Sequence, residues 1–408
     1  MLYIPRAAEQ KFLRMSSFFK AVLVTGARQV GKTTMLKHLA EGKGRGYVSM
    51  DDQEERELAR SDPKLFFQVH KPPLLIDEVQ RAPELFEPIK IACDQSDEKG
   101  IFWLTGSAHY DIMRNVRESL AGRIGIMRLY GLSAQEKRGN TAIQPLDFSY
   151  QALAELSAGM EPQDISDVFH DIWTGGFPAV QDAATDMRQE YLSSYAETYL
   201  LRDAIREGSI EDEGKFLRFL KACASLAAEM VSYTALAEAA EISAPTASAW
   251  LRLLEGLGII YLLPPFSNNA LKRLVRAPKL YFCDTGLCAN LSMWLTKETL
   301  QAGAASGHFF ENYVVMELIK RFSYSGSNAR LTYYRDSNKK EIDFVIEEDG
   351  ILHPLEIKRG AAPDKKAVRA FSLLDKSTVP RSTGGIVCMA DRPWPIDSRN
   401  SYIPCWLL

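Results

Sequence analysis

Gly26-Ala27-Arg28-Gln29-Val30-Gly31-Lys32-Thr33-Thr34 fits the phosphate-binding pattern G-x-x-x-x-G-K-[ST] over its whole length. Its flanks are those the loop needs. Ala21-Val22-Leu23-Val24-Thr25 is a short apolar, β-branched run that reads as a buried strand, and Met35 to Ala40 continues as a helix. Gly26 and Gly31 let the backbone fold so that consecutive N–H groups point at phosphates, and the helix N-terminus adds partial positive charge. Lys32 places an ammonium against the β- and γ-phosphates, and the Thr33 hydroxyl is a ligand for Mg²⁺. The stretch therefore predicts a site for ATP with Mg²⁺, lined by Gly26 to Thr34.

Pro73-Leu74-Leu75-Ile76-Asp77-Glu78 is an apolar strand ending in adjacent carboxylates, with Asp77 45 residues after Lys32. At the end of a buried strand Asp77 would hold Mg²⁺ through water, and Glu78 would polarise the attacking water. Such a pair can also cap the next helix. Beside an intact phosphate loop, hydrolysis is the preferred reading. A further strand, Ile101-Phe102-Trp103-Leu104, ends in Thr105-Gly106-Ser107, which brings a hydroxyl towards the γ-phosphate; Thr105 and Ser107 are both candidates for that role.

Loop, acidic strand and hydroxyl-bearing strand together resemble the AAA+ and related additional-strand ATPases. The resemblance extends to Leu120-Ala121-Gly122-Arg123, where an arginine often completes the γ-phosphate site. It implies that Arg123 acts in its own subunit or reaches a neighbour's site as an arginine finger, and that the chain forms a homo-oligomer. Arg123 read simply as a surface arginine, with Arg114 and Arg117 close by, remains open.

A length of 408 residues exceeds one ordinary domain, and 46% hydrophobic with 25% charged residues is a globular mixture. Net charge of −3 carries no global nucleic-acid signature, so any basic footprint must be local. No run of 18 apolar residues occurs and the start, Met1 to Arg6, lacks a signal-peptide core; the expectation is a cytoplasmic protein without a membrane partner. Cysteines at 93, 223, 283, 288, 388 and 405 show no C-x-x-C spacing, which argues against zinc or a disulfide framework.

Strand and helix patterns alternate from about 20 to 130, predicting an α/β fold with a parallel sheet covered on both faces. Beyond 150 the chain reads as helical, with a break at Gly175-Gly176-Phe177-Pro178. Tyr233 to Ala240, a turn at Glu241-Ile242-Ser243, and Ala244 to Leu257 have helix-turn-helix spacing with Ser243 as N-cap. A strand, Gly258 to Leu263, and a basic stretch with Lys272, Arg273, Arg276 and Lys279 follow, an outline that resembles a winged helix with a basic wing. Its second helix carries one arginine, Arg252, among small side chains. This argues against base-edge readout and leaves a wing that holds DNA phosphates without reading sequence, or a module used for packing.

Near the C-terminus, Lys340 to Ile346 and Ile351 to Lys358 read as a strand pair joined at Glu348-Asp349-Gly350. Glu356 and Lys358, two apart, share a face, and Asp343 stands beside them on the neighbouring strand. Two carboxylates, Asp343 and Glu356, suit a second divalent ion, with the Lys358 ammonium beside a scissile phosphate. Upstream, Glu311 shares a helix face with Val314, Val315 and Leu318, so its carboxylate needs a metal or Lys358 as partner. The alternative is a cross-strand ion pair of Lys358 with Asp343 or Glu356. The pattern resembles the PD-(D/E)xK nuclease core, with Ile342 where a proline usually precedes the first aspartate; the resemblance implies catalytic roles for Glu311, Asp343, Glu356 and Lys358.

In order, these features resemble a widespread set of prokaryotic ATP-binding proteins whose C-terminal half is a domain of unknown function. The expected organisation is an AAA+-like ATPase over 1–145, a helical section over 146–295 with a winged helix at about 230–280, and a nuclease-like α/β domain over 296–408. The expected activity is ATP hydrolysis coupled to action on DNA, with a nuclease site. A nucleotide-driven switch or scaffold that binds without cutting is the alternative.

Overall fold

Ala21–Thr25 forms strand β1, buried at every position. In the computed structural model, which describes residues 3–106, 116, 119–208, 210–266 and 277–408, the chain divides into two compact units. The first comprises Met1–Leu132, Glu136–Ala142 and Gly256–Ile259; the second comprises Ser133–Gln135, Ile143–Glu255 and Ile260–Leu408. Ser107, Arg114, Arg117, Lys272, Arg273 and Arg276 lie outside the described residues.

In the first unit β1, β2 (Gly46–Ser49), β3 (Leu74–Asp77), β4 (Phe102–Thr105) and β5 (Ile124–Arg128) make a wholly parallel sheet in the order β2-β3-β4-β1-β5. The inserted β4 separates the loop-bearing β1 from β3, which ends in Asp77. One sheet face, with Leu23, Ile76, Phe102 and Leu104, packs under Ala59, Phe66 and Ile89 from helices α3 (Gln53–Ser61), α4 (Pro63–Val69) and α5 (Phe86–Gln95). The other takes α1 (Ala8–Phe18), whose Phe12 ring meets Trp103 edge-on at 4.8 Å. Helix α2 (Lys32–Ala40) follows the phosphate loop. The predicted α/β layering is what forms, because strands buried on both faces need helices above and below.

The second unit begins helical. Ile165–Thr174 is started by a reciprocal Asp164–Asp167 capping box and ends at Gly175, whose φ of 78° suits glycine. Helices Tyr233–Ala240 and Ala244–Gly256 are joined by a short turn in which Ser243 Oγ accepts from Thr246 N at 3.2 Å. Trp250 of the second helix packs on Phe216 and Phe219, ring centroids 5.3 Å away in each case. Strands β6 (Ile260–Leu263) and β7 (Lys279–Phe282) form an antiparallel ribbon.

The remainder follows the buried helix Ser306–Ser325 in the chain and is a mixed sheet, β12-β13-β11-β10-β9-β8. β8 (Arg330–Arg335), β9 (Glu341–Glu348) and β10 (Ile351–Ile357) are an antiparallel meander; β11 (Gly384–Cys388) and β13 (Asn400–Pro404) continue in parallel, and β12 (Trp394–Pro395) closes the edge. All six cysteines are buried, and none is in a disulfide. Among the described residues no helix is long and apolar enough to cross a membrane.

Candidate functional sites

Because the first sheet is parallel, everything at the carboxyl ends of its strands gathers along one edge. The loop after β1 turns through Gly26, with φ 143°, where a Cβ would lie 2.1 Å from the Leu129 carbonyl oxygen, so no larger residue fits without moving backbone. Gly31, the N-cap of α2 at φ 96°, has no side chain to close the helix end, leaving the first-turn N–H groups for an anion. Lys32 is buried and its Nζ donates to the carbonyls of Gly26 (3.1 Å) and Ala27 (2.8 Å), bonds a phosphate oxygen can replace. Arg6, buried and outside the motif, donates to the carbonyls of Val30 (2.8 Å) and Tyr130 (2.7 Å) and to Glu136 (3.1 Å), which ties the loop to the sheet edge.

Asp77 closes the site. Its Oδ1 accepts from Thr33 Oγ1 at 2.6 Å and from Thr105 Oγ1, and its Oδ2 from Tyr47 OH at 3.3 Å. These three partners are all uncharged hydroxyls. A Mg²⁺ ion fits this donor set: a hydroxyl and a carboxylate oxygen already converge within hydrogen-bond distance at the phosphate end of α2. Glu78 takes a left-handed conformation (φ 54°), with its N–H donating to Thr105 Oγ1 at 3.1 Å and its carboxylate accepting from Gln80 Nε2.

Arg123 is not brought to this edge. It immediately precedes β5, and its carbonyl accepts from Ala21 N, the first residue of β1, at 3.2 Å. That is the amino edge of the sheet, about five residues or roughly 16 Å along β1 from the loop at the strand rise. Its guanidinium is engaged there by Asp94 at 2.5 and 3.1 Å. The expectation that it completes the γ-phosphate site of its own subunit is corrected, since strand direction carries it to the wrong end.

In the second unit the structure does bring Asp343, Glu356 and Lys358 together. Two residues of β9, Asp343 and Phe344, oppose the single Tyr333 of β8, a bulge in the pair, and Asp343, two residues from Glu341, lies on the same side of the strand by alternation. Asp343 Oδ2 accepts from Ile357 N (2.8 Å) and Lys358 Nζ (3.2 Å), and Lys358 also donates to Glu356 Oε1 at 2.7 Å.

Glu311 points inward as its helix face implies, and the lysine that meets it is Lys279, not Lys358. Lys279 Nζ donates to it at 2.9 Å and Tyr281 OH at 2.8 Å, both to Oε1. The same ammonium lies 2.5 Å from Glu341 and 3.9 Å from Asp343. Lys279 was expected in a phosphate-holding wing; it is instead only 4% exposed at the start of β7, because alternation on that strand turns it into the cluster.

The cluster thus runs Glu341, Lys279, Glu311, Asp343, Lys358, Glu356, acids interleaved with two ammoniums. Burial and the charge of Asp343 raise Glu311 to about 7 and Glu356 to about 8. Burial alone would lower Lys279 and Lys358, but the surrounding carboxylates hold both above the ordinary lysine range. Among the described residues no group of three or more acidic, histidine or cysteine side chains is arranged to hold a metal ion. As built, the cluster does not fit the second divalent ion expected from the sequence, since ammonium nitrogens stand between its carboxylates.

Sequence reasoning missed Arg6, Tyr47, Tyr281 and Glu341 as site residues and placed Lys279 in the wrong site. A lysine opening the otherwise apolar strand Lys279-Leu280-Tyr281-Phe282 was the available signal that it is buried and paired.

Residues 18–137 match the model of the AAA domain family. Residues 165–298 and 306–408 match two models described as domains of unknown function, DUF8612 and DUF4143. Uncharacterized proteins of Mycobacterium tuberculosis and Mycobacterium bovis are each 27% identical over 376 residues, covering 92% of this chain and 78% of theirs. Among solved structures, a Walker-type ATPase of Pyrococcus abyssi superposes with a TM-score of 0.45 at 13% identity, covering 71% of this chain and 96% of its own. The Thermotoga maritima RuvB Holliday junction branch migration motor does so with a TM-score of 0.30 at 19% identity, covering 63% and 86%. The AAA match and the site geometry agree: the chain carries an AAA-type P-loop ATPase domain that binds ATP.

Proposed function

We propose that this ATPase acts on DNA, with its nucleotide state governing DNA engagement, and that its C-terminal sheet carries a nuclease-like site. The observation that carries the reading is the convergence of Asp343, Glu356 and Lys358 on one strand pair, with Glu311 facing Asp343, in the same chain as a complete phosphate loop. In the ATPase, Lys32 and the loop N–H groups hold the phosphates, Thr33 and Asp77 the Mg²⁺. Glu78, once released from Gln80, orients the attacking water, and Thr105, bonded to both Asp77 and the Glu78 N–H, senses the γ-phosphate. Arg123 keeps only the role of a group offered to a neighbouring copy in a homo-oligomer. The helix pair 233–256 with its ribbon is read as a winged helix that binds DNA without sequence preference; the small side chains at 244–249 and the single arginine, Arg252, support backbone contact over base readout.

A second reading, a nucleotide-driven switch that binds without cutting, is favoured by one observation: Lys279 stands inside the acidic cluster. The experiment is cleavage of plasmid and single-stranded DNA by the full chain in Mg²⁺ or Mn²⁺, with and without ATP, beside Asp343→Ala and Lys32→Ala. Cutting that disappears in Asp343→Ala supports the nuclease. DNA binding with no cutting in any arm leaves the switch.

A further inference from the structure

The interleaved cluster poses a problem of charge. Four carboxylates, Glu311, Glu341, Asp343 and Glu356, face two ammoniums and, at Glu341, the Arg335 guanidinium at 3.3 Å, and several of their oxygens are already engaged. Glu311 Oε1 takes hydrogen bonds from Lys279 and Tyr281; Asp343 Oδ2 takes them from Ile357 N and Lys358; Glu356 Oε1 takes one from Lys358. Glu356 Oε2 is buried with no hydrogen-bond partner, and Asp343 Oδ1 faces Lys279 at 3.9 Å. The lysines are not equivalent. The Lys358 side chain is 42% exposed and can swing to solvent, whereas that of Lys279 is 5% exposed and enters from another strand, β7.

We infer that the Lys279 ammonium is this site's own cation: standing among Glu311, Glu341 and Asp343, it takes the place a divalent ion would need, so the residues present do not fit one. Two cations cannot share those oxygens, because each ligand oxygen turned to the ammonium is lost to the metal and the positive charges repel at contact distance. Tyr281 reinforces the arrangement by filling the second acceptor position of the Glu311 oxygen that Lys279 uses. The inference rests on the reading of this cluster as nuclease-like, and it adds that an ammonium stands in for the metal. Lys279 is then a counter-ion held in the cluster and not a group that touches substrate.

The test is Mn²⁺ binding to the full chain without nucleotide, read as loss of the free-ion electron paramagnetic resonance signal. Native protein, Lys279→Met, Lys279→Gln and the double variant Lys279→Met/Asp343→Asn are compared, with circular dichroism as the check on folding. The expected result is weak binding by the native chain, at least tenfold tighter binding by Lys279→Met, and loss of the gain in the double variant. Lys279→Gln, which keeps a polar head, should show a gain of the same sign and stands in if the Met variant does not fold. Native binding as tight as that of Lys279→Met and dependent on Asp343 would overturn the inference. So would a folded Lys279 variant that gains nothing; if neither variant folds, tight native binding lost in Asp343→Asn overturns it and weak native binding supports it. DNA cleavage in the same samples separates this from the nuclease reading. A variant that gains Mn²⁺ yet cuts nothing keeps the inference and removes the nuclease; native cutting without any gain on substitution does the reverse.

Discussion

Asp77 and Asp343 are both buried aspartates at the heart of a candidate site, each only 7% exposed, and they are solvated by opposite kinds of neighbour. Asp77 is held by the hydroxyls of Thr33, Thr105 and Tyr47, neutral donors that orient the carboxylate without cancelling its charge. Asp343 is held by the Lys358 ammonium and a backbone N–H, with the Lys279 ammonium at 3.9 Å. A carboxylate ringed by hydroxyls remains a ligand for a cation, while one ringed by ammoniums already has its counter-charge. The first site is built to receive Mg²⁺ with a nucleotide. The second is satisfied from within.

The comparison breaks most visibly at Lys32. Lys32→Ala should lower phosphate release from ATP by roughly 10²–10³-fold or more, as removal of a preorganised phosphate donor does, and leave the thermal stability of the second unit unchanged. A steady-state assay with melting curves checks both; an ATPase rate close to native would mean that the loop is not the hydrolytic site. Asp343→Ala is the converse. It leaves Lys358 and the Ile357 N–H without their shared acceptor and should destabilise the second unit by about 1–3 kcal/mol, the lower range because Lys358 is half-exposed. ATP hydrolysis should stay within about twofold of native, and urea titration beside the same assay measures the pair.

A smaller effect sharpens the contrast in charge. Glu356, facing Asp343, Lys358 and Glu311, is raised to about 8, and Glu311, facing Asp343, Lys279 and Tyr281, to about 7. Both values lie above the ordinary carboxylate value, so their contribution to stability is present at acid pH and is lost as pH rises through 7 and 8. The second unit should therefore melt at lower temperature at pH 8.5 than at pH 6, and Glu356→Gln should flatten much of that slope. Melting followed from pH 5 to 9 decides it; an unchanged slope in Glu356→Gln would mean that the acid is ionised across the range. The smallest effect is expected at Arg123→Ala. Paired with Asp94 on an exposed edge, it should leave melting unchanged and hydrolysis at dilute protein within about twofold of native. A rate loss that appears only as protein concentration rises would place Arg123 at a neighbour's site.

The phosphate loop was legible because its function is local: consecutive N–H groups, a lysine and a threonine within one turn of helix need no distant partner. The paired strands bearing Asp343, Glu356 and Lys358 were legible for a related reason, since period-two alternation and a short turn place those side chains without knowledge of the rest. Arg123 misled because its short motif carries no information on which end of a parallel sheet it occupies. Lys279 misled because a run of basic residues looks like a solvated wing, and only the ribbon β6–β7 turns this one inward, 32 residues before Glu311 and 64 before Asp343.

By itself the sequence determined that the chain binds a nucleotide, that a parallel sheet supports the loop, and that two strands near the C-terminus carry paired acids and a lysine. These follow from spacing and periodicity, which act over a few residues. The tertiary structure alone decided which charges meet. It set neutral hydroxyls around Asp77 and ammoniums around Asp343, and it removed Arg123 to the opposite edge. The physical reason is that charge compensation in a buried site is a matter of distances of about 3–4 Å between groups far apart in the chain, and those distances are fixed only when the strands that carry them pack together.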